Sequence, residues 1–406
     1  PASFLADDTD CDDADAAVNP DATEVCNGGD DDCDGAVDWG LGVPDSYTTV
    51  NEAIVAASAG ATVCIAAGTH SGTFNLNKQV ILDGWEGSEL TFLDGASGGA
   101  VITASGYTGT AELHGVTVQN GSASQGAGIK ATSVSVWLDD VVFSDNVCGA
   151  STSYCQGVVY GSAATVTLTN VTVHGNEGYG GTVYGAAMSF WSSSTVVAEN
   201  LRILDNYAAG SSQVAPGIFC LPGTFTGTNV VIAGNVAVAS DAAAWMMGEV
   251  FVGSGSTLAL TNASITGNAM TAGTESVTGS LHLYSATDRV TLTNVAITDN
   301  VYSGGSSAWR YGGVFSWTTP TFTSTYSDYF NNTYTDFYGI ATVVGADGNV
   351  AVAADYADVT AAAAYDWDLS LAAGSALLDA GSPSILDTDG STSDIGAWGG
   401  PGAADW

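Results

Sequence analysis

Asparagine recurs along this chain at an almost constant step, and this internal repeat constrains the fold more than any other feature. Eight positions carry it, each at the end of a short segment of similar sequence: Asn120, Asn146, Asn176, Asn206, Asn235, Asn268, Asn300 and Asn332. The successive gaps are 26, 30, 30, 29, 33, 32 and 32 residues. Asn or Asp also stands six places before six of the eight. A period of about 30 residues is typical of a solenoid in which each repeat forms one turn.

Each repeat alternates apolar and polar residues in the manner of β-strands. In one repeat, Val166, Leu168, Val171 and Val173 would face one way and the intervening threonines the other. The predicted strands are three to six residues long, and no part of the array shows a sustained helical period. A propeller blade needs about 40 to 45 residues. The shorter period therefore favours an all-β coil that closes once per repeat.

Stacking explains why asparagine, and not merely a polar residue, holds the repeated position. Each strand of such a coil pairs with its equivalent one turn later, about 4.8 Å away, so equivalent side chains stack. An inward asparagine can bond its neighbours above and below through its amide, and it tolerates the left-handed conformation of a sharp corner. We therefore predict an internal Asn ladder, in which loss of Asn235 is costly, whereas Asn349 is expected to be exposed and dispensable.

Several segments resemble a known architecture. The step of a hydrophobic residue, two variable residues and Asn, with Gly128-Ile129, Gly217-Ile218 and Gly313-Val314 between, is similar to the repeats of polymorphic outer membrane proteins. Residues 50–70 resemble the helical cap and first strand of secreted β-helices, and residues 387–400 resemble their closing signature. The chain thus resembles the right-handed parallel β-helix of the pectate-lyase-like superfamily. This fold hosts many unrelated functions, so the resemblance implies no particular activity.

The first residues form an acidic head. Residues 7–38 contain 13 acidic residues and no Lys or Arg. Two runs alternate Asp with other residues, and the second, ending at Gly35, matches the first half of a calcium loop, although Leu41 replaces its final Glu. Carboxylate oxygens suit Ca²⁺. The candidate ligands are Asp8, Asp10, Asp12, Asp15, Asp30, Asp32, Asp34 and Asp38.

The head as a whole, from Asp10 to Gly35, is similar to a metal-binding repeat of bacterial secreted proteins, and residues 401–406 resemble the beginning of another. We therefore divide the chain into an Asp/Cys-rich head at 1–43, a β-helix with a helical cap at 44–400, and the start of a C-terminal extension at 401–406. A second acidic group near the exit is either a smaller metal site or a polar turn that seals the last turn of the helix. Its members are Asp387, Asp389 and Asp394.

Seven cysteines indicate an oxidising compartment: Cys11, Cys26, Cys33, Cys64, Cys148, Cys155 and Cys220. Cys148 and Cys155 bracket an apparent loop and are predicted to form a local disulfide. One cross-link is expected among the three cysteines of the head, and Cys64, in a predicted strand, is expected to be a small core residue. The odd number leaves at least one thiol unpaired within the chain. A secreted, extracellular or cell-surface location follows.

The charge balance excludes several partners. The chain has 5 basic and 43 acidic residues, a net charge of −38, so it repels nucleic acids and anionic membranes. No run of 18 apolar residues predicts a membrane-spanning helix. Catalysis is the less favoured hypothesis. The few basic residues fall in different repeats, and Asp145, Asp205 and Asp299 share their phase with glycines, which indicates turns.

The preferred functional hypothesis is an extracellular structural or adhesive protein of a bacterial cell surface or matrix, stabilised by calcium. Open ends of the coil would allow self-association, head to tail into filaments or laterally. The alternatives are a polysaccharide lyase or glycoside hydrolase on a β-helix, and a non-catalytic glycan-binding adhesin.

Two surface features bear on these alternatives. Aromatic residues concentrate at 179–191, 245–247 and 302–317. Exposed, they would stack on sugars or dock a protein; buried, they would cover one side of the helix. The threonine-rich outer faces would suit ice binding in a regular coil, but the unequal repeat lengths argue against it.

Overall fold

The computed structural model describes residues 11–12, 15, 18–20, 22, 26, 30, 33, 41–149, 153–273, 278–304 and 311–403. These residues form a parallel β-solenoid of about eight turns, in which strands pair in parallel with their equivalents in adjacent turns. The expected fold class, a parallel β-helix with an internal Asn ladder, is confirmed. Two strands near the C terminus form a separate antiparallel pair.

The helical elements are α1 (Val50–Ala56) and a 3-10 helix (Ala364–Asp366). The strands are β1 (Thr62–Cys64), β2 (Gly68–Ser71), β3 (Phe74–Leu76), β4 (Ile81–Asp83), β5 (Thr91–Asp94), β6 (Ile102–Ser105), β7 (Thr110–Gln119), β8 (Ser122–Ala123), β9 (Ile129–Thr132), β10 (Ser135–Ser144), β11 (Val147–Cys148), β12 (Tyr154–Cys155), β13 (Val159–Ser162), β14 (Thr165–His174), β15 (Glu177–Tyr184), β16 (Met188–Leu204), β17 (Tyr207–Ala215), β18 (Ile218–Ala233), β19 (Val236–Ala239), β20 (Trp245–Met246), β21 (Val250–Val252), β22 (Thr257–Thr266), β23 (Ala269–Ala272), β24 (Leu281–Leu283), β25 (Arg289–Thr298), β26 (Val301–Gly304), β27 (Val314–Ser316), β28 (Thr321–Thr325), β29 (Asp328–Phe330), β30 (Phe337–Tyr338), β31 (Tyr356–Asp358) and β32 (Asp368–Leu371).

The helix α1 covers the N-terminal end of the solenoid, as the sequence predicted. The Thr49 hydroxyl accepts a hydrogen bond from the Glu52 N–H at 3.3 Å, and the Glu52 carboxylate accepts one from the Thr49 N–H at 3.2 Å. This reciprocal pair is a capping box. Val50, Ala53 and Ile54 are buried against the first turn. The cap therefore covers a strand edge that would otherwise be open.

Two left-handed corners shape each turn. The first lies inside the long strands, so that each contains two of the short segments predicted from the sequence. Its residues have φ between 50° and 56°: Asp140, Asn170, Asn200, Asn229, Asn262 and Asn294. The second has φ between 52° and 65°: Asp145, Gly175, Asp205, Gly234, Gly267, Asp299 and Asn331. Asp, Asn and Gly are the residues that tolerate this conformation. The interpretation of Asp145, Asp205 and Asp299 as turn residues is confirmed.

The internal ladder contains seven asparagines, from Asn146 to Asn332. In each of its six steps the side-chain amide donates to Oδ1 of the next asparagine over 2.8–3.0 Å. The second amide hydrogen goes to a backbone carbonyl, as from Asn235 to Ile203 at 3.0 Å. Oδ1 also accepts the backbone N–H of the preceding rung, as from Asn206 to Asn235 at 2.9 Å. The buried amides are therefore satisfied by one another and by the backbone.

Asn120 was expected to be the first rung, and this expectation is wrong. Gln119 pairs with Ser144, so Asn120 aligns with the corner residue Asp145. The next residue, Gly121, takes the rung position, and its N–H donates to Asn146 Oδ1 at 2.8 Å. Asn120 itself is left-handed, with φ 56°, whereas the seven true rungs are not. The corner belongs to the residue before each rung, so stacking alone explains the ladder asparagines.

A second column of asparagines lies at the first corner, outside the core. Asn200 donates to Asn170 Oδ1 at 2.9 Å, and Asn229 donates to Asn200 Oδ1 at 3.0 Å. Asn294 donates to Asn262 Oδ1 at 3.4 Å. These amides donate towards the earlier turn, whereas the internal ladder donates towards the later one.

A C-terminal strap, residues 352–403, leaves the last turn and runs back along the outside of the solenoid. The Asp205 carboxylate holds it by accepting the backbone N–H groups of Ala364 at 2.9 Å and Tyr365 at 2.8 Å. The strap packs on outward-facing apolar residues that follow the first corner: Leu204, Val231, Ala233 and Ala296. We call these four positions the covered face.

The closing signature at 387–400 was expected at the last turn, and the structure places it elsewhere. The Ser393 hydroxyl accepts the side-chain amides of Asn262 at 2.8 Å and Asn294 at 3.0 Å. The Ala397 N–H donates to the Ser264 hydroxyl at 3.0 Å. The segment therefore lies over β22 and β25, which belong to the two turns before the last.

The last turn is closed by residues 337–350 instead. Asn349, expected to be exposed, is 2% exposed. Its amide donates to the Ser324 and Ala346 carbonyls, both at 2.8 Å, and its Oδ1 accepts the Ser327 N–H at 3.0 Å. The expectation that Asn349 is exposed is wrong, because the side chain ties the final strands to the segment that covers them.

Candidate functional site

The structure describes only part of the acidic head. Asp12, Asp15 and Asp30 lie within the described residues, and the remaining candidate ligands lie outside them: Asp8, Asp10, Asp32, Asp34 and Asp38. No group of three or more His, Cys, Asp or Glu side chains placed to hold a metal occurs among the described residues, a set that leaves out these five. The sequence prediction of the ligand set therefore stays a prediction.

Disulfides organise the head. Cys11 pairs with Cys33, which joins the two Asp-rich runs. The Cys11 sulfur also lies 3.4 Å from the Asp30 carbonyl oxygen. Cys26 pairs with Cys64 and ties the head to β1, so the expectation that Cys64 is a simple core residue is wrong.

Outside the head, Cys148 pairs with Cys155, as predicted, and Cys220 is a buried free thiol. Three disulfides are typical of a protein that folds in an extracytoplasmic, oxidising compartment. Within the part of the chain that the structure describes, none of the helices has the length and apolarity needed to cross a membrane.

The second acidic group forms turns within the strap. The Asp389 carboxylate accepts the Ser391 N–H at 2.9 Å, and the Asp394 carboxylate accepts the Asp379 N–H at 2.7 Å. Asp387 accepts the Gly400 N–H. These local bonds fit the polar-turn alternative, but at the strap rather than at the last turn.

An aromatic face occupies the outward side of the later turns. One column of rings follows the parallel register from Phe219 through Phe251, His282 and Phe315 to Tyr338. Phe219 and Phe251 are stacked with centroids 4.7 Å apart, and His282 lies edge-on to Phe251 and Phe315, 4.9 Å from each. Further rings flank the column: Tyr184, Trp191, Trp245, Tyr284, Tyr311 and Trp317.

The aromatic face combines a buried base with exposed edges. Phe219, Phe251 and Phe315 are buried, whereas Tyr284 is 49% and Trp317 44% exposed. Some rings are thus buried and others exposed, as each of the two alternatives weighed from the sequence required, and the binding of sugars or a protein by the exposed rings stays a prediction. Rings held edge-to-face and in stacks by buried neighbours have little conformational freedom left to lose.

An open groove continues the aromatic face towards the N terminus. Its lining includes Tyr154, Gln156, Thr182, Tyr184 and Trp191. Tyr184 and Trp191 pack edge-on at 5.2 Å, and both contact Phe219. The groove thus places hydroxyl and amide groups beside aromatic rings.

Sequence reasoning found most of the flanking rings and one ring of the column, Phe315, but missed the column as a whole and the flanking Tyr284. It named residues 179–191, 245–247 and 302–317, which supply Tyr184, Trp191, Trp245, Phe315 and Trp317. The signal for the rest was available, because the Gly217-Ile218 and Gly313-Val314 pairs noted in the repeat are each followed by phenylalanine.

Two titratable groups with strongly shifted pKa values, His282 and Glu249, are buried away from solvent. Burial lowers the pKa of His282 to about 3 and raises the pKa of Glu249 well above its usual range. The His282 Nδ1 lies 3.2 Å from the Met247 carbonyl, which can only accept, so this nitrogen carries the proton of the neutral ring. Neither oxygen of Glu249 has a hydrogen-bond partner among the residues that the structure describes. Both side chains are fully buried.

Comparison with known proteins gives one informative match. A family model described as "Putative metal-binding motif" (Cu-binding MopE) matches residues 10–38. No curated protein and no solved structure matches the chain. The N terminus therefore carries a motif of this metal-binding kind, and the solenoid is assigned to no named family.

The donor atoms of the matched segment bear on which metal would fit. No histidine occurs before His70, and the cysteines of the head are all in disulfides. The strong side-chain donors left are carboxylate oxygens, which suit hard cations better than copper in its thiolate- or imidazole-bound forms.

Proposed function

We propose that the protein is an extracellular, non-catalytic adhesive rod that holds neutral glycans on its aromatic face. The observation that carries the proposal is the row of exposed ring edges, Tyr284, Trp317 and Tyr338, above a buried layer of stacked rings. Aromatic rings present flat apolar surface to the C–H faces of sugars, and Tyr and Trp add a polar atom. The net charge of −38 favours a neutral ligand over an acidic polysaccharide.

The adhesive hypothesis is favoured over the enzymatic one. A general acid or base must reach the substrate directly or through one water. Glu249 and His282 lie beneath or inside the aromatic layer and are closed to solvent. A lyase or hydrolase stays the alternative, and product release would identify it.

Self-association stays a prediction, and the covered ends of the solenoid make some modes of contact less favourable than others. The helix α1 covers one end of the solenoid, and Asn349 fixes the segment that covers the other. End-to-end pairing of open strands would require displacing these caps, so lateral contact or contact through the head is the favoured route.

We further propose that the head binds Ca²⁺. The support is the oxygen-only donor set and the Cys11–Cys33 disulfide, which joins the two Asp-rich runs. Bound calcium would order the head against the first turn, to which Cys26 already ties it. Calcium titration by calorimetry, with copper in a parallel arm, tests the ion; the proposal fails if copper binds and calcium does not.

Glycan retention tests the main proposal. We expect the protein to be retained on at least one insoluble or arrayed neutral polysaccharide, and Trp317→Ala and Tyr284→Ala to weaken retention. Trp85→Ala is the matched control, because Trp85 is 39% exposed but lies outside the aromatic face. Soluble sugar products would support an enzyme, and equal loss in all three variants would contradict the assignment of the face.

A further inference from the structure

A second outward surface, on the strand halves before the first corner, is formed by threonine. Three columns run over six turns, in β14, β16, β18, β22, β25 and β28, and threonine occupies 14 of the 18 positions. The central column reads Thr167, Val197, Thr226, Ala259, Thr291 and Thr323. We call this surface the threonine face.

The register of the threonine face is unbroken despite the unequal repeats. Thr167 and Val197 are 30 residues apart, and Thr226 and Ala259 are 33 apart, yet both pairs are direct neighbours in the sheet. The extra residues lie in other parts of the turn. The argument against a regular surface, which rested on repeat length, is therefore wrong.

This register creates a two-dimensional lattice in which 14 of the 18 positions carry the same side chain. Turns repeat at about 4.8 Å, and alternate residues along a strand at roughly 6.6 Å. Each threonine has a stiff χ1 and presents one hydroxyl and one methyl group. The inward neighbours Val166 and Leu168 are buried, as are Leu258 and Leu260 three turns further on, so the lattice rests on a packed core.

The threonine face is nearly free of charge in a strongly acidic molecule. Glu199 and Arg289 are its two charged residues, and each lies in an outer column. The complementary partner is therefore an uncharged surface. The six turns span roughly 24 Å and the three columns roughly 13 Å, which gives about 300 Å², well below the ~800 Å² per partner of a stable protein interface. A second copy of the chain is thus a poor occupant.

We propose that the threonine face binds ice. A rigid lattice of hydroxyl and methyl groups can hold a layer of water in the spacing of the crystal, and regularity rather than area then supplies the affinity. Over these six turns the columns contain no aromatic ring, so they lack the stacking surface that the aromatic face offers to sugars. Trp137, one turn earlier in the central column, marks the N-terminal limit of the face. The two faces therefore serve different ligands, and this inference does not depend on the glycan proposal.

Ice-affinity partition of the full chain tests the proposal. Thr226→Tyr and Thr291→Tyr each place a bulky ring in the central column, and Thr271→Tyr is the matched control, because Thr271 is exposed on β23 in the other sheet. We expect the wild type and Thr271→Tyr to enter a slowly growing ice front and to shape single crystals. The central-column variants should lose both properties while keeping the circular dichroism and melting temperature of the wild type.

Two outcomes would overturn the proposal. One is exclusion of the wild type from the ice front at a level equal to a non-binding carrier protein. The other is an equal loss in Thr226→Tyr and Thr271→Tyr. Retention on crystalline cellulose or chitin that Thr226→Tyr abolishes, without ice binding, would reassign the face to a crystalline polysaccharide. Thr226→Val, which keeps the methyl and removes the hydroxyl, serves as the milder variant should tyrosine disturb folding.

Discussion

The two halves of a single strand differ in solvent exposure on the outer surface of this solenoid. In β25, Thr291 and Thr293 belong to the threonine face, whereas Ala296, five residues beyond Thr291, is fully buried under the strap. The side chains named in both halves point outward from the same coil, and they differ in exposure because the strap covers only the second half. Where the chain returns over them, the outward residues include the apolar covered face and polar side chains such as Ser264, which bonds to the strap. Where it does not, most of them are threonine. Burial on a solenoid is therefore decided by what covers a face as well as by which way a side chain points.

The largest expected difference between the two surfaces is the effect on stability of a charge introduced into each half of β18. Val231 is fully buried on the covered face, whereas Thr226 is exposed on the threonine face. We expect Val231→Asp to destabilise the protein by more than about 4 kcal/mol, because it buries an unpaired carboxylate. Thr226→Asp should stay within about 0.5 kcal/mol. Chemical denaturation measures both, and similar values would remove the distinction between the faces.

The pH dependence of stability tests the contact between Asp328 and the strap, at the point where the strap leaves the last turn. Asp328 accepts the Val352 N–H at 2.9 Å, and burial raises the pKa of its carboxyl from 3.8 to about 7. The folded state therefore holds a proton that the unfolded chain releases, so stability should fall as pH rises from 4 to 7, by on the order of 2–4 kcal/mol.

Asp328→Asn supplies the control for this pH dependence. The amide cannot ionise and can still accept the Val352 N–H. Denaturation at several pH values should show a shallower fall for the variant than for the wild type. Parallel curves would assign the dependence to other buried acids, of which Glu249 is the first candidate.

A third comparison is between buried asparagines, such as those of the internal ladder, and an exposed asparagine. Asn235→Ala removes the acceptor for the backbone and side-chain N–H groups of Asn206, and we expect a loss of about 1–3 kcal/mol. Asn349→Ala should cost a similar amount, because this residue is also buried and fully bonded. The exposed Asn77 provides the control. Equal melting shifts at Asn77 and Asn235 would contradict the role of stacking.

The smallest effect concerns the anchor of the strap. Asp205 and Asp145 occupy the same corner column, but only Asp205 accepts two N–H groups of the strap among the bonds described. Asn tolerates the left-handed corner, so Asp205→Asn keeps the corner but replaces one of the two accepting carboxylate oxygens with an NH2 group, which cannot accept a hydrogen bond. We expect a cost of about 1 kcal/mol. Hydrogen exchange at Ala364 and Tyr365 should accelerate in this variant and not in Asp145→Asn.

The repeat predicted the coil well because it is local and periodic. Asn146 and its successors identify the turns, and the alternation in segments such as 165–174 identifies the strands. The error at Asn120 came from its short gap of 26 residues to the next asparagine, which marked a change of register. The left-handed corners were assigned one residue too late, since both Asn and its predecessor are residues that favour this conformation.

Long-range features were harder to predict. Nothing local connects Asp205 to Ala364, 159 residues away, or Cys26 to Cys64. The change from Arg202 to Val231 along one outward column did carry a signal of coverage, but a single sequence does not say what supplies the cover. The aromatic face was intermediate in difficulty, between the local repeat and the long-range contacts, because its rings follow the repeat once the register is known.

The two asparagine columns have a consequence for the electrostatics of the rod. Aligned amide dipoles add along an axis, as backbone dipoles do in an α-helix. The internal ladder points its donors towards later turns, and the column of Asn170, Asn200 and Asn229 points them towards earlier ones. The two rows therefore oppose each other where they run side by side. If further turns of the same kind were added, the net dipole of the side-chain amides would equal the difference between the dipoles of the two rows. It would therefore grow more slowly than the dipole of either row alone.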